Sequence, residues 1–136
     1  MIFRPVEASD RNYLRDSFVR GARSCPTAHG VSRELLVTML DRVLATWRSV
    51  VLTDEDTVDE ILGWACWRTP LEIFWLSVKP RFARKRLGLA QALLDYVGVA
   101  RGPQSPISCP LIPPSIAATA SKHGYRLVLR PYIAME

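Results

Sequence analysis

Residues 78–94 read VKPRFARKRLGLAQALL, and the fold turns on how that stretch is read. It starts where an apolar run, residues 71–78, comes to its end. It then crosses a loop holding Lys79, Arg81, Arg84, Lys85 and Arg86, and opens a helical pattern at Gly88-Leu89-Ala90. A strand, a cationic turn and a helix N-terminus with small residues together form a recipe for holding phosphate. The first N–H groups of a helix have no partner inside it, and the helix dipole favours an anion there. Gly88 and Ala90 would let a ligand approach the backbone closely.

Working outward, the whole chain has 136 residues, which suits one domain over residues 1–136 with a core of its own. A hydrophobic share of 49% against a charged share of 23% argues for a folded globular chain rather than a disordered one. The net charge is +5, and the loop after Val78 carries as many cations as that whole excess. A second group, Arg11, Arg15, Arg20 and Arg23, is offset in part by Asp10 and Asp16 and reads as a solvated face. Cys25, Cys66 and Cys109 are odd in number and widely spaced, and neither His29 nor His123 completes a ligand pattern with them. A disulfide framework and a metal site are therefore both excluded, and buried thiols in a reducing compartment are expected. No apolar stretch is long enough to span a bilayer, and Arg4, Glu7 and Asp10 interrupt any signal-peptide pattern. The expected location is cytoplasmic, or within an assembly built inside a cell.

Taken in order, residues 1–6 read as a strand. Ser9 or Asp10 caps a helix running to about Val19, with Tyr13, Leu14, Phe18 and Val19 as its apolar stripe. Residues 21–30 read as loop. Ser32 caps a second helix, with Glu34 early in it and Leu35, Leu36, Met39, Leu40, Val43, Leu44 and Trp47 at helical spacing. Residues 49–53 and 61–68 read as strands joined by an acidic turn, which lacks the spacing of a calcium loop. The run 71–78 is apolar on both alternating faces apart from Glu72 and Ser77, as in a strand covered on both sides. Glu72 then lies at the exposed strand start or lines a polar cavity. A helix over about residues 87–97 carries Leu89, Leu93, Tyr96 and Val97 on one side. In the proline-broken segment 101–115 only residues 107–109 can form a strand, which Pro110 confines to an edge or an end. Pro113 and Pro114 suit the first turn of a helix to about Lys122, which Gly124 stops. Residues 125–129 alternate as a final strand, and residues 132–135 could continue it as an edge.

The resulting order is β-α-α-β-β-β-α-(β)-α-β, an α/β (mixed α+β) class. This order resembles the GCN5-related N-acetyltransferases, the GNAT superfamily. The residues that carry the resemblance are Ile2-Phe3-Arg4-Pro5 with Asp10, then Ile61-Leu62-Gly63-Trp64, then Val78-Lys79-Pro80 followed by Gly88-Leu89-Ala90 and Leu93-Leu94, and last His123-Gly124-Tyr125. The resemblance implies a splayed mixed β-sheet with helices on both faces and acyl-CoA lying in the splay. It implies that the pantetheine arm pairs with the backbone at Leu76 and Val78. The pyrophosphate would sit on the N–H groups of Lys85, Arg86, Leu87, Gly88, Leu89 and Ala90. It also implies acetyl-CoA as co-substrate, an acceptor that is a small amine or a protein N-terminus or lysine, and Glu72 as the one candidate base that matches a family position.

Departures from the family pattern are specific. Lys85 stands three before Gly88, where the family prefers Gln or Arg, and the loop before Gly88 is longer than usual. Ala120 stands four before Gly124, where many members place a Tyr as general acid. Three readings follow. The first is an acyl-CoA-dependent N-acetyltransferase. The second is a catalytically silent GNAT-fold module with protein partners in an assembly, such as a bacteriophage virion component, in keeping with the small GNAT-like proteins that bacteriophages encode. The third, a nucleic-acid binder using the loop after Val78, is weakened because Phe82 is the only aromatic there to stack on a base.

Overall fold

The computed structural model describes residues 1–25, 28, 30–57, 59–68, 72–79, 88–98, 107–111, 114–122, 124 and 126–129. Among these, the strands β1 (Ile2–Arg4), β2 (Arg48–Thr53), β3 (Ile61–Arg68), β4 (Glu72–Val78), β5 (Ile107–Cys109) and β6 (Leu127–Leu129) lie in one sheet in sequence order. The first four are antiparallel neighbours, while β4 with β5 and β5 with β6 are parallel. The helices are α1 (Arg11–Ala22), α2 (Arg33–Thr46), α3 (Leu89–Tyr96) and α4 (Pro114–Lys122). The expected element order is thus the observed one.

The helix starts show how local chemistry sets the boundaries. Ser32 caps α2 as expected, its hydroxyl accepting from the Leu35 N–H at 3.2 Å. Asp10 stands at the cap position of α1 but does not cap it with its side chain. Its carboxylate instead accepts from the Arg4 guanidinium at 2.8 and 3.0 Å and from the Glu7 N–H at 2.8 Å. The helix α1 also runs past the expected end at Val19 and takes in Gly21. Glycine inside a helix costs about 1 kcal/mol relative to alanine. Here a Cβ would lie 2.5 Å from Cζ2 of Trp75, so the missing side chain is what lets the helix pack on the sheet.

Each face of the sheet carries its own apolar layer. One layer joins Leu14, Phe18 and Ala22 of α1 and Leu36, Leu40 and Val43 of α2 to Val51, Trp64, Cys66, Phe74 and Trp75. The other joins Leu89, Leu93 and Leu94 of α3 and Ala120 of α4 to Val50, Leu52, Leu62, Ala65, Ile73, Leu76 and Cys109. Helices therefore cover both faces, as the sequence predicts.

Two bulges shift the alternation of side chains between these layers. Between β3 and β4, Cys66 pairs with Trp75 but Trp67 pairs with Ile73, so Phe74 is an extra residue. Phe74 and Trp75, consecutive in sequence, therefore both face α1 and α2, whereas Ile73 and Leu76 face α3. Between β2 and β3, Leu52 pairs with Gly63 and Thr53 with Ile61, which leaves Leu62 extra. Gly63 then lies under α3, where a Cβ would be 2.8 Å from the Ser77 carbonyl oxygen and 3.0 Å from Leu93.

The short strand β5 realises the second of its two expected placements. It does not lie at an edge, because β4 and β6 flank it. Pro110 acts only as its end: with no N–H to give, proline stops the ladder after Cys109.

Candidate functional site

The strands β4 and β5 share a single ladder pair. Their ladder consists of Glu72 opposite Ser108, whereas β5 and β6 pair at Ile107, Ser108 and Cys109. Beyond Glu72 the two strands part, and among the described residues no strand pairs with the outer side of Ile73–Val78. The polarity of that edge follows from one bond. The Lys79 N–H donates to the Leu62 carbonyl of β3 at 2.7 Å, so Lys79 faces inward. Backbone groups alternate along a strand, so those of Ser77 also face β3 and those of Leu76 and Val78 face the open side. Their side chains lie in the α3 layer and do not obstruct the edge.

At the far end of this edge stands the N-terminus of α3. Gly88 is its cap residue, at φ 91°, a left-handed conformation that favours glycine. No side chain caps the helix there, although the Gly88 carbonyl accepts from the Ala92 N–H at 2.8 Å. The first-turn amides of Leu89 and Ala90 consequently have no partner within the helix. Leu89 is buried against the sheet and anchors that turn, Ala90 is half-buried and Gly88 is exposed. Lys85, Arg86 and Leu87 lie outside the described residues, as do Arg81 and Arg84.

Glu72 sits where the strands part. Its Oε2 accepts from Nε and Nη2 of Arg68, at 3.1 and 2.8 Å. The Glu72 side chain keeps 34% exposure, which agrees with the expected place at a strand start. Among the described residues its Oε1 takes no hydrogen bond. Arg68 in turn stacks over the Trp47 ring at 4.2 Å, and Trp47 meets Phe74 edge-on at 5.8 Å. The bulge residue, the stacked arginine and the carboxylate thus form one continuous array.

Cys109, on β5, faces the same divergence. It is 3% exposed. Burial pushes its thiol up to about 12, and the nearby Ile73 backbone opposes the shift only in part. The group is a neutral thiol at ordinary pH. Cys66 is fully buried, so its thiol is also raised, and Cys25 is buried and free as well.

Other candidates lie elsewhere. Trp75 does not fill the gap beside β4; it is packed against Phe18 at 5.0 Å and against Gly21 on the opposite layer. Ala120 is buried in the α3 layer and supplies no proton donor. Lys79 lies 5.4 Å above the Tyr13 ring, beside a cavity of about 310 Å³ lined also by Ser9, Asp10, Asp59, Glu60 and Ile61. The larger cavity, about 660 Å³, lies between α1 and α2 and is open and lined by charged groups, including Arg15, Asp16, Arg33 and Glu34. Neither contains a residue of the β4 edge. Among the described residues no three His, Cys, Asp or Glu side chains gather as metal ligands, and no helix is long and apolar enough to cross a membrane.

Sequence reasoning missed the Phe74 bulge, the Arg68–Trp47 stack and the position of Cys109. The one available signal was the run Ile73-Phe74-Trp75-Leu76, whose unbroken apolar character is also what a bulge produces.

No protein-family model matches the chain, and no curated protein does. Solved structures do. A GCN5-related N-acetyltransferase from Rhodopseudomonas palustris, also described as "Aminotransferase, Class-II", is 18% identical over 71% of this chain, with a TM-score of 0.48. The match spans 62% of that protein's length. A possible acetyltransferase from Clostridium difficile 630 is 11% identical over 99% of this chain and 97% of its own, with a TM-score of 0.61. At that level of identity the likeness shows the fold. It is the GNAT-like mixed α+β fold that the order of elements predicts.

Proposed function

We propose that this chain is a single-domain member of the GCN5-related N-acetyltransferase superfamily, which binds acetyl-CoA and transfers the acetyl group to an amine. The observation that carries the reading is the parting of β4 from β5 after one pair, with an uncapped helix N-terminus at the end of the freed edge. The residues fit the group. Leu76 and Val78 would offer backbone N–H and C=O groups to an extended amide chain, as an added strand does. The first-turn amides at Gly88, Leu89 and Ala90, with Lys85, Arg86 and Leu87 before them, would hold the pyrophosphate. The thioester supplies an activated acyl carbon and a thiolate leaving group.

The remaining work falls to the protein. The attacking amine must lose a proton, and Glu72 is the carboxylate nearest the divergence. Its Oε2 is engaged by Arg68, so Oε1 would take the proton, directly or through one water. As the amine nitrogen bonds to the carbonyl carbon, charge builds on the carbonyl oxygen, and an outward-facing N–H of β4 stabilises it. The C–S bond then breaks and the thiolate leaves with CoA. Ala120 cannot protonate it, so the proton comes from solvent. Positioning carries much of the rate in such a site.

Isothermal titration with CoA and acetyl-CoA tests the reading. Binding at micromolar concentration supports it. No heat and no thermal shift at millimolar CoA would sink it, and would leave a silent module as the use of the fold.

A further inference from the structure

We infer that Arg68 is the positioning residue of this site: it turns the Glu72 carboxylate so that Oε1 alone faces the acceptor. The inference deepens the proposed function and rests on it. Arg68 acts through Glu72 and touches neither the amine nor the thioester. The pair is bonded unevenly. Nε and Nη2 of Arg68 donate to the same oxygen, Oε2, at 3.1 and 2.8 Å. An arginine and a carboxylate that are free to choose often form two parallel bonds, one to each oxygen. Here the fork closes on one oxygen, and among the described residues Oε1 takes no hydrogen bond.

Both partners are held from elsewhere, which is why they depart from the parallel arrangement. Arg68 and Glu72 stand opposite each other as the last pair of the β3–β4 ladder, and Glu72 pairs on its other side with Ser108. Among the described residues it is the one position of β4 with a strand paired on each side. The guanidinium lies 4.2 Å from the Trp47 ring, and Trp47 meets Phe74 edge-on at 5.8 Å. Phe74 is buried in the core. The core thus sets Trp47, Trp47 sets the fork, and the fork sets the carboxylate. Trp47 packs on the layer of α1 and α2, so the pair is held on that side of the sheet, opposite the layer of α3. The side chains of Arg68 and Glu72 keep 30% and 34% exposure. An ion pair so exposed contributes little to stability, and its effect is on direction. A base must meet its proton within hydrogen-bond reach, and a misplacement of about 1 Å costs up to about a hundredfold in rate.

The test compares the full chain in its native form with R68M, E72Q and the double variant, with melting curves to confirm folding. Acetyl-CoA is the donor, and the acceptor probe is a random-sequence peptide library with free N-termini and lysines. The peptide acetylated fastest then gives kcat and KM. R68M is expected to lower kcat by about tenfold, while acetyl-CoA affinity and the peptide KM stay within about twofold. In the E72Q background the same change should cost nothing further, because Arg68 acts only through the carboxylate. A second measurement needs no Arg68 variant: the Arg68 Nε–H resonance should exchange with water more slowly in the native protein than in E72Q. Native kcat in folded R68M, losses that multiply in the double variant, or equal Nε–H exchange in the native protein and E72Q overturns the inference and leaves the proposed function standing. A native chain that binds acetyl-CoA but acetylates no peptide also overturns it, and leaves acetyl-CoA binding in place. Failure of the native protein to bind CoA overturns both.

Discussion

The guanidinium of Arg68 lies 4.2 Å above the Trp47 ring, and this stack connects the end of α2 to the end of β3. It fixes the fork that Arg68 presents to Glu72. Lysine cannot reproduce a stacked planar fork. R68K is therefore expected to lower stability by about 1 kcal/mol, read from urea unfolding. A variant as stable as the native protein would show that the stack contributes nothing.

Glu72 separates binding from chemistry. E72Q keeps the shape and loses the base. CoA affinity should stay within about twofold, while acetyl transfer to amines falls by about a hundredfold. Full turnover in E72Q would remove Glu72 from the mechanism and return it to a structural ion pair with Arg68.

Gly21 and Trp75 offer a test of packing. A methyl at Gly21 would fall 2.5 and 2.9 Å from Cζ2 and Cη2 of the indole. G21A should lose about 1–3 kcal/mol despite the better helix propensity of alanine. The loss should shrink in a W75F background, because the smaller ring withdraws from that position. Equal losses in the two backgrounds would count against the contact.

Asp10 sets an acid limit. The Arg4 hydrogen bonds hold its carboxyl below the ordinary carboxylate range, with the Glu7 N–H assisting and burial opposing. A depressed folded-state value means that the stabilisation is complete above the unfolded value of about 4 and is lost as pH falls through the folded one. D10N should thus be less stable than the native protein near neutral pH by about 2 kcal/mol, and the difference should narrow in acid. Melting curves from pH 7 to pH 2 read this directly, and a constant difference would refute it.

At Gly88 the backbone itself is tested. Its φ of 91° disfavours any side chain, although a Cβ there would meet nothing. G88A should therefore cost about 1 kcal/mol of backbone strain and weaken CoA about tenfold by misdirecting the first-turn amides. Unchanged CoA affinity would mean that the phosphates do not rest on this turn.

Much of the fold was legible in the chain itself. Ser32 announced α2, Pro114 and Gly124 bracketed α4, and the apolar run 61–68 after the acidic turn marked β3, because caps, prolines and apolar runs act over a few residues. The helix start at Gly88-Leu89-Ala90 was legible as well. The final residues expected as an edge, 132–135, lie outside the described part.

Other features arose only when distant segments met. Gly21 reads as a loop residue until Trp75 is laid against it. β5 reads as an edge or as ended by Pro110 until β6 pairs beside it and leaves only the second. Residues 73–76 read as an unbroken apolar run until the register with β3 leaves Phe74 over. Short-range chemistry determined which elements form and in what order. Pairing register and close packing, which depend on residues far apart in the chain, decided which groups pack together.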